Sequence, residues 1–329
     1  MSPIKNYSED SIRIRPQKNK SRPRTKESPT YKNLTNGIVI TVDRGRFTVA
    51  LPDFDYQQIF AIKARSLGRK GVVVGDQVGL TGVNLSRPSD LARIVEIFER
   101  RHILRKSSDD ADSSEKVIVT NASQIGIVVS IANPEPQLRF IDRALMAALD
   151  ADATPLLIIT KTDLADPTWL INLYEDFGFP IFCLAKDSDL TSLQHSLNDK
   201  WTVFIGASGV GKSTLVNRLA PKAQRATGEV SDVTGKGKHT STTIFAFSIA
   251  KDTWIIDTPG LRSFGLAHLA SETALAALPE LNKIAVACPK SCTHQDQDCA
   301  IAIRAQSDER VKIKLDSLRR ILQSIKLDY

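Results

Sequence analysis

The sequence predicts an α/β protein: a mostly parallel sheet in the middle of the chain, a small all-β unit before it and a short helical unit after it. Three observations carry this. Between residues 125 and 257, apolar runs (Ile125–Ala132, Pro155–Thr160, Pro180–Ala185) alternate with helical stretches such as FIDRALMAALDA, the pattern of a sheet covered on both faces. From Asn36 to about Arg105, five short β-type runs instead follow one another with only turn residues between them. The end of the chain gathers three of the four cysteines beside a histidine, then places apolar and basic residues at helical spacing from Ile303 to Ile325.

Composition narrows the classes. At 329 residues, with 42% hydrophobic, the chain is long enough for two or three domains, each with its own core. No apolar run reaches the roughly 18 residues that cross a bilayer, and the N-terminus is charged rather than signal-like. A cytoplasmic monomer with no membrane partner is therefore expected. Cysteines clustered around His294 point to a metal site in a reducing compartment, not to a disulfide framework. A net charge of +7 suits a polyanionic partner such as nucleic acid, but solvated lysines give the same balance.

Taken in order, residues 1–32 read as a disordered basic tail. Its first thirty residues hold eight Lys/Arg against three Asp/Glu and almost no aliphatic side chains, too little apolar surface to offset ordering entropy. It either touches RNA or serves as a solubilising leader. Residues 33–106 contain GIVITV, RFTVAL, QIFAIKA, VVVGDQVGL and LARIVEIFE, which fit a five-stranded barrel of the OB type. Such barrels bind oligonucleotides across one face, here with Lys63, Arg65, Arg69 and Lys70; an SH3-like barrel used only for docking fits the same runs. Arg100, Arg101, Arg105 and Lys106 then form a basic hinge before the polar linker SSDDADSSEK, which separates the barrel from a central domain, 107–268. Residues 269–329 remain as a C-terminal domain.

The chemistry concentrates at Gly206-Ala207-Ser208-Gly209-Val210-Gly211-Lys212-Ser213-Thr214, directly after the apolar run WTVFI and before the helical LVNRLA. This is the phosphate cradle of P-loop proteins: glycines bring backbone N–H groups to phosphate oxygens, Lys212 reaches the β and γ phosphates, and Ser213 offers Mg²⁺ a hydroxyl. The following helix directs its positive end at the same anion.

Which nucleotide is bound follows from a second loop. Thr160-Lys161-Thr162-Asp163, after the strand PLLII, resembles the Asn-Lys-x-Asp guanine motif of GTPases. A fixed carboxylate, Asp163, accepts from both the N1–H and the exocyclic amine of guanine, a pair adenine lacks, while the Lys161 stem lies against the base. Asp257-Thr258-Pro259-Gly260 ends the strand TWIID and matches the Asp-x-x-Gly switch, with Asp257 on Mg²⁺ and the Gly260 N–H sensing the γ phosphate. Between them, Gly235–Thr243 (GKGKHTSTT) supplies a first switch in which Ser241 or Thr242 reaches Mg²⁺. In an ordinary GTPase the guanine motif follows the switches; here it precedes the P-loop. The sequence is thus read as a circularly permuted P-loop GTPase domain, flanked by the barrel and by a zinc-binding helical domain.

The zinc expectation rests on Cys288-x3-Cys292-x-His294-x4-Cys299. Three thiolates and one imidazole suit tetrahedral Zn²⁺ with no position left for a catalytic water, so the site is structural; unligated buried cysteines are the competing reading. Cys183, inside a strand, is expected in the core.

With the permuted order, the switch GKGKHTST, the barrel motifs VGDQV and ERRHILR, IDRALMAALD, PGLRSFGL and the Cys3His cluster in hand, the sequence resembles the RsgA (YjeQ) family of circularly permuted GTPases. The resemblance covers everything but the tail. Thr160 stands where that family has Asn, HTST replaces His-Thr-Thr-Thr, and the zinc spacing is one residue shorter on each side of Cys292-x-His294. The resemblance implies a GTP hydrolase acting in late maturation of the small (30S) ribosomal subunit, with GTP/GDP, 16S rRNA and the 30S particle as partners and hydrolysis coupled to release. An RNA-binding module with a weak nucleotide site is the alternative. Leu261 occupies the position where Ras-like enzymes carry a water-orienting glutamine, so unassisted turnover should be slow, on the order of 10⁻⁴–10⁻³ per second. His239 is the candidate to position that water on the activator, as the resemblance also implies; a solvent-facing loop histidine is the other reading.

Overall fold

The computed structural model describes residues 31, 33–68, 70–106, 116–221, 244–258, 271–276 and 278–326. The expected tail except Tyr31, together with Arg69, most of the acidic linker, the first switch with His239, Ser241 and Thr242, and Gly260 with Leu261, lie outside those residues.

The first unit holds β1 (Thr35–Asp43), β2 (Arg46–Leu51), β3 (Gln57–Lys63), β4 (Gln77–Thr81) and β5 (Ala92–Ile97). Neighbours run β1-β2-β3-β5-β4, and β4 pairs back onto β1 from Thr35↔Leu80 to Ile38↔Gln77, closing a five-stranded barrel. Alternation fills it: Phe47, Val49 and Leu51 of β2 and Ile59 and Ala61 of β3 point inward, and Arg46 and Thr48 do not. The run VVVGDQVGL becomes strand only from Gln77, because Gly75 turns at φ +90° with its Cα pressed on Thr120; a Cβ there would lie 1.9 Å from the Thr120 carbonyl oxygen.

Asp76, next in line, is fully buried. Its two oxygens accept from Arg100 (2.7 and 2.8 Å), the Thr120 hydroxyl (2.8 Å) and the Val73 N–H (2.8 Å). Thr120 follows β7 (Lys116–Val119), which pairs with β6 (Leu104–Lys106), so one carboxylate rivets the barrel to the next unit. Arg100, expected in a free basic hinge, is thereby consumed inside the fold.

The central unit runs β8 (Gln124–Ser130), α1 (Leu138–Asp150), β9 (Thr154–Thr160), α2 (Thr168–Tyr174), β10 (Ile181–Leu184), α3 (Thr191–Leu197), β11 (Trp201–Ile205), α4 (Lys212–Leu219), β12 (Phe245–Ala250) and β13 (Thr253–Asp257). The sheet order is β10-β9-β8-β11-β13-β12, parallel except for β12. The chain steps outward from β8 to β10 and then returns to lay β11 on the other side of β8. That reversal is the switch point at which open α/β sheets hold their ligands. Cys183 departs from expectation: β10 is the sheet edge and the thiol is exposed.

Two joints fasten the flanking units to this sheet. Thr41 of β1 pairs with Phe245 of β12, and Tyr56 lies on Trp254 (centroids 5.2 Å apart) while its hydroxyl donates to Asp252 in the β12–β13 turn. Trp254 in turn stacks on Trp201 at the start of β11, 4.8 Å away and nearly parallel. On the far side stand α5 (Ser271–Ala276), α6 (Pro279–Ala285), α7 (Ala300–Ala305) and α8 (Glu309–Lys326). The single helix expected from Ile303 to Ile325 is two, because Asp308 accepts the N–H groups of Arg310 (3.2 Å) and Val311 (3.4 Å) and starts α8 afresh. Arg320 of α8 donates to the buried Asp142 of α1 (2.7 Å), whose other oxygen takes the Tyr174 hydroxyl (2.9 Å). Burial pushes the Asp142 carboxyl up from its ordinary value, against the pull of Arg320.

Asp76→Ala leaves the Arg100 guanidinium and the Thr120 hydroxyl without their acceptor, so urea unfolding should show a loss of about 3 kcal/mol. A change under about 0.5 kcal/mol would mean that the carboxylate does not hold the barrel in place.

Candidate functional site

The strands bring four chain ends to one edge of the sheet. In register, Phe204 of β11 faces Asp257 of β13 and Gly126 of β8, and Ser130 at the end of β8 faces Thr160 at the end of β9. The phosphate loop, the Thr160–Asp163 loop and Asp257 therefore gather at the carboxyl edge of the sheet, although Asp163 and Asp257 are far apart in the chain.

Within the phosphate loop the glycines have separate reasons. Gly209 (φ +82°) and Gly211 (φ +89°) take the left-handed backbone that favours glycine, and Gly211 caps α4. Gly206 does not share it: a Cβ there would come within 2.5 Å of the Val128 carbonyl oxygen, so glycine is needed for close approach to β8. Lys212 is buried, and its ammonium donates to the equally buried Asp257 carboxylate. Ser213 and Thr214 are exposed in the first turn of α4, and Ser208 is exposed in the loop. Thr258, just past Asp257, donates to the Phe204 carbonyl (2.8 Å), which fixes the start of the second switch against β11.

On the base side, Thr160 is buried and reaches the phosphate loop: its hydroxyl stands 2.5 Å from the Val210 carbonyl oxygen and 3.1 Å from that of Val129. Lys161 (φ +58°) donates its ammonium to the Asn133 carbonyl, so its stem is stretched across the β8–α1 loop. Thr162 N–H donates to Leu184 (3.3 Å), and the exposed Asp163 accepts from the Lys186 N–H (3.3 Å). The sequence reading passed over this last loop, Ala185–Ser188. It is closed by the Ser188 hydroxyl on the Ala185 N–H (2.8 Å) and tied by Arg218 of α4 to the Ser188 carbonyl. A small residue followed by Lys-Asp-Ser directly after the apolar run PIFCL was the signal that could have found it.

At the other end of the chain, Cys288, Cys292, His294 and Cys299 converge, their ligand atoms all within 4.8 Å of one another. His294 Nδ1 lies 3.9, 3.7 and 3.6 Å from the three sulfurs, and the sulfurs of Cys288 and Cys299 are 3.8 Å apart. A tetrahedron built on Zn–S bonds of about 2.3 Å has edges of about 3.8 Å, so the donor set fits that ion in both chemistry and size. Arg319 of α8 donates to the His294 carbonyl (2.9 Å), coupling the cluster to the last helix. Oxygen donors for Mg²⁺ stand at Ser213 and Asp257, which suit a hard cation.

On the barrel, Lys63 does not present a free charge. Its ammonium donates to the carbonyls of Gly68 (3.1 Å) and Lys70 (2.8 Å) and holds the turn between β3 and β4. Arg65 and Lys70 of the expected face are exposed, and beside them runs an outward row of Arg46, Ile62 and Arg93, paired across β2, β3 and β5, with the Arg46 guanidinium 5.6 Å from the centre of the Phe60 ring.

A phosphate loop at the switch point of a parallel sheet, with a guanine-type loop earlier in the chain and an Asp-Thr strand end later, defines the class: a circularly permuted GTPase. The match is specific. The family model described as RsgA GTPase matches residues 97–267. A small ribosomal subunit biogenesis GTPase RsgA of Actinobacillus pleuropneumoniae is 32% identical over 78% of this chain and 76% of its own length. RsgA 1 of Vibrio vulnificus is 34% identical over 78% and 75%. The chain belongs to the RsgA GTPase family. Its fold is that of the crystal structure of YjeQ from Thermotoga maritima (TM-score 0.69, 22% identity, 89% of this chain and 99% of that one) and of YloQ, a circularly permuted GTPase (0.66, 22%, 90% and 96%).

Purified protein should carry about one zinc per chain. Stripping it with a chelator, or Cys292→Ser, should lower the unfolding midpoint by on the order of 10 °C by calorimetry. A metal content near zero with an unchanged midpoint would show that the cluster is a set of free thiols.

Proposed function

We propose that this chain is the GTPase that assists late maturation of the small ribosomal subunit, binding 16S rRNA in the GTP form and leaving after hydrolysis. The observation that carries it is the convergence of the phosphate loop, the Thr160–Asp163 loop and Asp257 at the β8/β11 switch point, in a chain of the RsgA family whose relatives bear the name of that activity. Gly206 to Thr214 take the phosphates, and Thr160 to Asp163 with the neighbouring 185–188 loop take the guanine. Gly260 senses the γ phosphate.

Ser213 and Asp257, with Ser241 or Thr242 from the first switch, would hold Mg²⁺, which neutralises charge between the β and γ phosphates when bound. His239 would orient the attacking water, since Leu261 has no hydrogen bond to offer it. Cys288, Cys292, His294 and Cys299 would hold a structural Zn²⁺. The units are the tail 1–32, the barrel 33–106, the GTPase domain 107–268 and the zinc domain 269–329, working as a monomer in the cytoplasm.

The attachments explain how nucleotide state could reach the RNA. The β12–β13 hairpin spans the interval between the two switches, and the barrel sits on it through Thr41, Tyr56, Asp252 and Trp254. The zinc domain is clamped on α1 and α2 through Arg320–Asp142–Tyr174 and through Lys314, which lies 3.6 Å from Asp176. A shift between the two sides of the pocket would move one RNA-holding unit relative to the other.

Binding to purified small subunits should be at least tenfold tighter with a non-hydrolysable GTP analogue than with GDP, measured by sedimentation at fixed salt. Equal affinity in the two states would remove the coupling.

A further inference from the structure

We infer that Arg218 is a positioning residue for base selectivity: from the phosphate-loop helix α4 it holds the 185–188 loop, and through that loop the carboxylate of Asp163. This rests on the GTP-binding reading above and gives a task to a side chain outside every motif that reads the nucleotide.

The 185–188 loop has little else to hold it. It follows β10, the edge of the sheet, so no further strand flanks it on the outer side. The Ser188 hydroxyl accepts from the Ala185 N–H (2.8 Å) and the Ser188 N–H donates to the Ala185 carbonyl (3.3 Å), which closes the turn on itself without tying it to another element. Among the described residues, two hydrogen bonds reach outward from it. The Lys186 N–H donates to Asp163 (3.3 Å), and the Ser188 carbonyl accepts from the Arg218 guanidinium. Asp163 is itself exposed and meets the protein through the Lys186 N–H, so the carboxylate stands where the loop stands.

Arg218 supplies the fixed point. It lies in the last turn of α4, six residues after Lys212, which is about 9 Å along the helix axis. Leu215, Val216 and Leu219 of the same helix share one apolar cluster with Leu184 and Leu190, the buried residues on either side of the loop. The element that begins at the phosphates thus sends a rigid arm to the base side. A guanidinium suits the task, because it carries its donors on a long stem and binds a carbonyl more strongly than a neutral amide does. Arg218 is half-buried, which limits competition from water.

If the arm sets the loop, cutting it loosens Asp163 and leaves the phosphate cradle intact. The exocyclic amine of guanine reports this, since IDP lacks it, and tripolyphosphate is a probe with no base at all. Arg218→Met removes the donors and keeps an unbranched stem; Arg218→Ala is a second deletion should the methionine variant not fold; Arg218→Lys restores a cationic donor. Affinities of the full chain for GDP, IDP and tripolyphosphate are measured by calorimetry with Mg²⁺ present. GDP should bind about tenfold more weakly to the methionine or alanine variant and IDP only about twofold, with tripolyphosphate unchanged and lysine bringing GDP back to within about threefold of wild type. An unchanged GDP-to-IDP ratio overturns the inference, whether or not GDP affinity falls, and so does a loss shared equally by tripolyphosphate. Failure of the wild-type protein to bind GDP at all would instead strike the proposed function.

Discussion

The contact on which the rest depends is the ion pair between Lys212 and Asp257. It joins the first residue of α4 to the last residue of β13, and both partners are buried. Two opposite charges held out of water are stable only in company, since removing either strands the other. A polyphosphate carrying a divalent cation is the ligand that satisfies both at once, the anion answering the ammonium and the cation answering the carboxylate. The pair thus defines what the pocket can exchange it for, and it does so at the switch point where β8 and β11 part.

Around that pocket the two flanking units are fastened on different elements. The barrel is bonded to the hairpin ending in Asp257 and, through Asp76, to the strand before β8. The C-terminal helices are bonded to α1 and to the turn after α2, on the side of the guanine-type loop. Permutation makes this arrangement possible. Because the guanine-type loop precedes the phosphate loop in this chain, the unit before the domain and the unit after it are fastened to different elements of the sheet rather than together.

Much of this was legible in the sequence, for identifiable reasons. Strand-length apolar runs ending in glycine or in Thr-Lys-x-Asp marked β9 and β11 and the loops beyond them, and the short cysteine spacing marked a cluster that local chain geometry nearly dictates. What escaped were features set by long-range partners. Gly206 needs glycine because of a carbonyl on β8, Arg100 spends its charge on the buried Asp76, and Cys183 is exposed because β10 happens to be the edge. The split before α8 had a local signal, Ser-Asp-Glu, that the helical periodicity on both sides concealed. The 185–188 loop carried a local signal as well, Ala-Lys-Asp-Ser after PIFCL, which the reading of that run as a strand alone left aside.

The central claim is that occupancy of this pocket by a guanine triphosphate is tied to the small ribosomal subunit. The most direct measurement is steady-state turnover of GTP and of ATP by the zinc-loaded protein, with and without purified small subunits. The account predicts slow hydrolysis of GTP alone, at least tenfold acceleration by the subunits, and little turnover of ATP in either case. GTP turnover unmoved by the subunits, or ATP hydrolysed as readily as GTP, would contradict it.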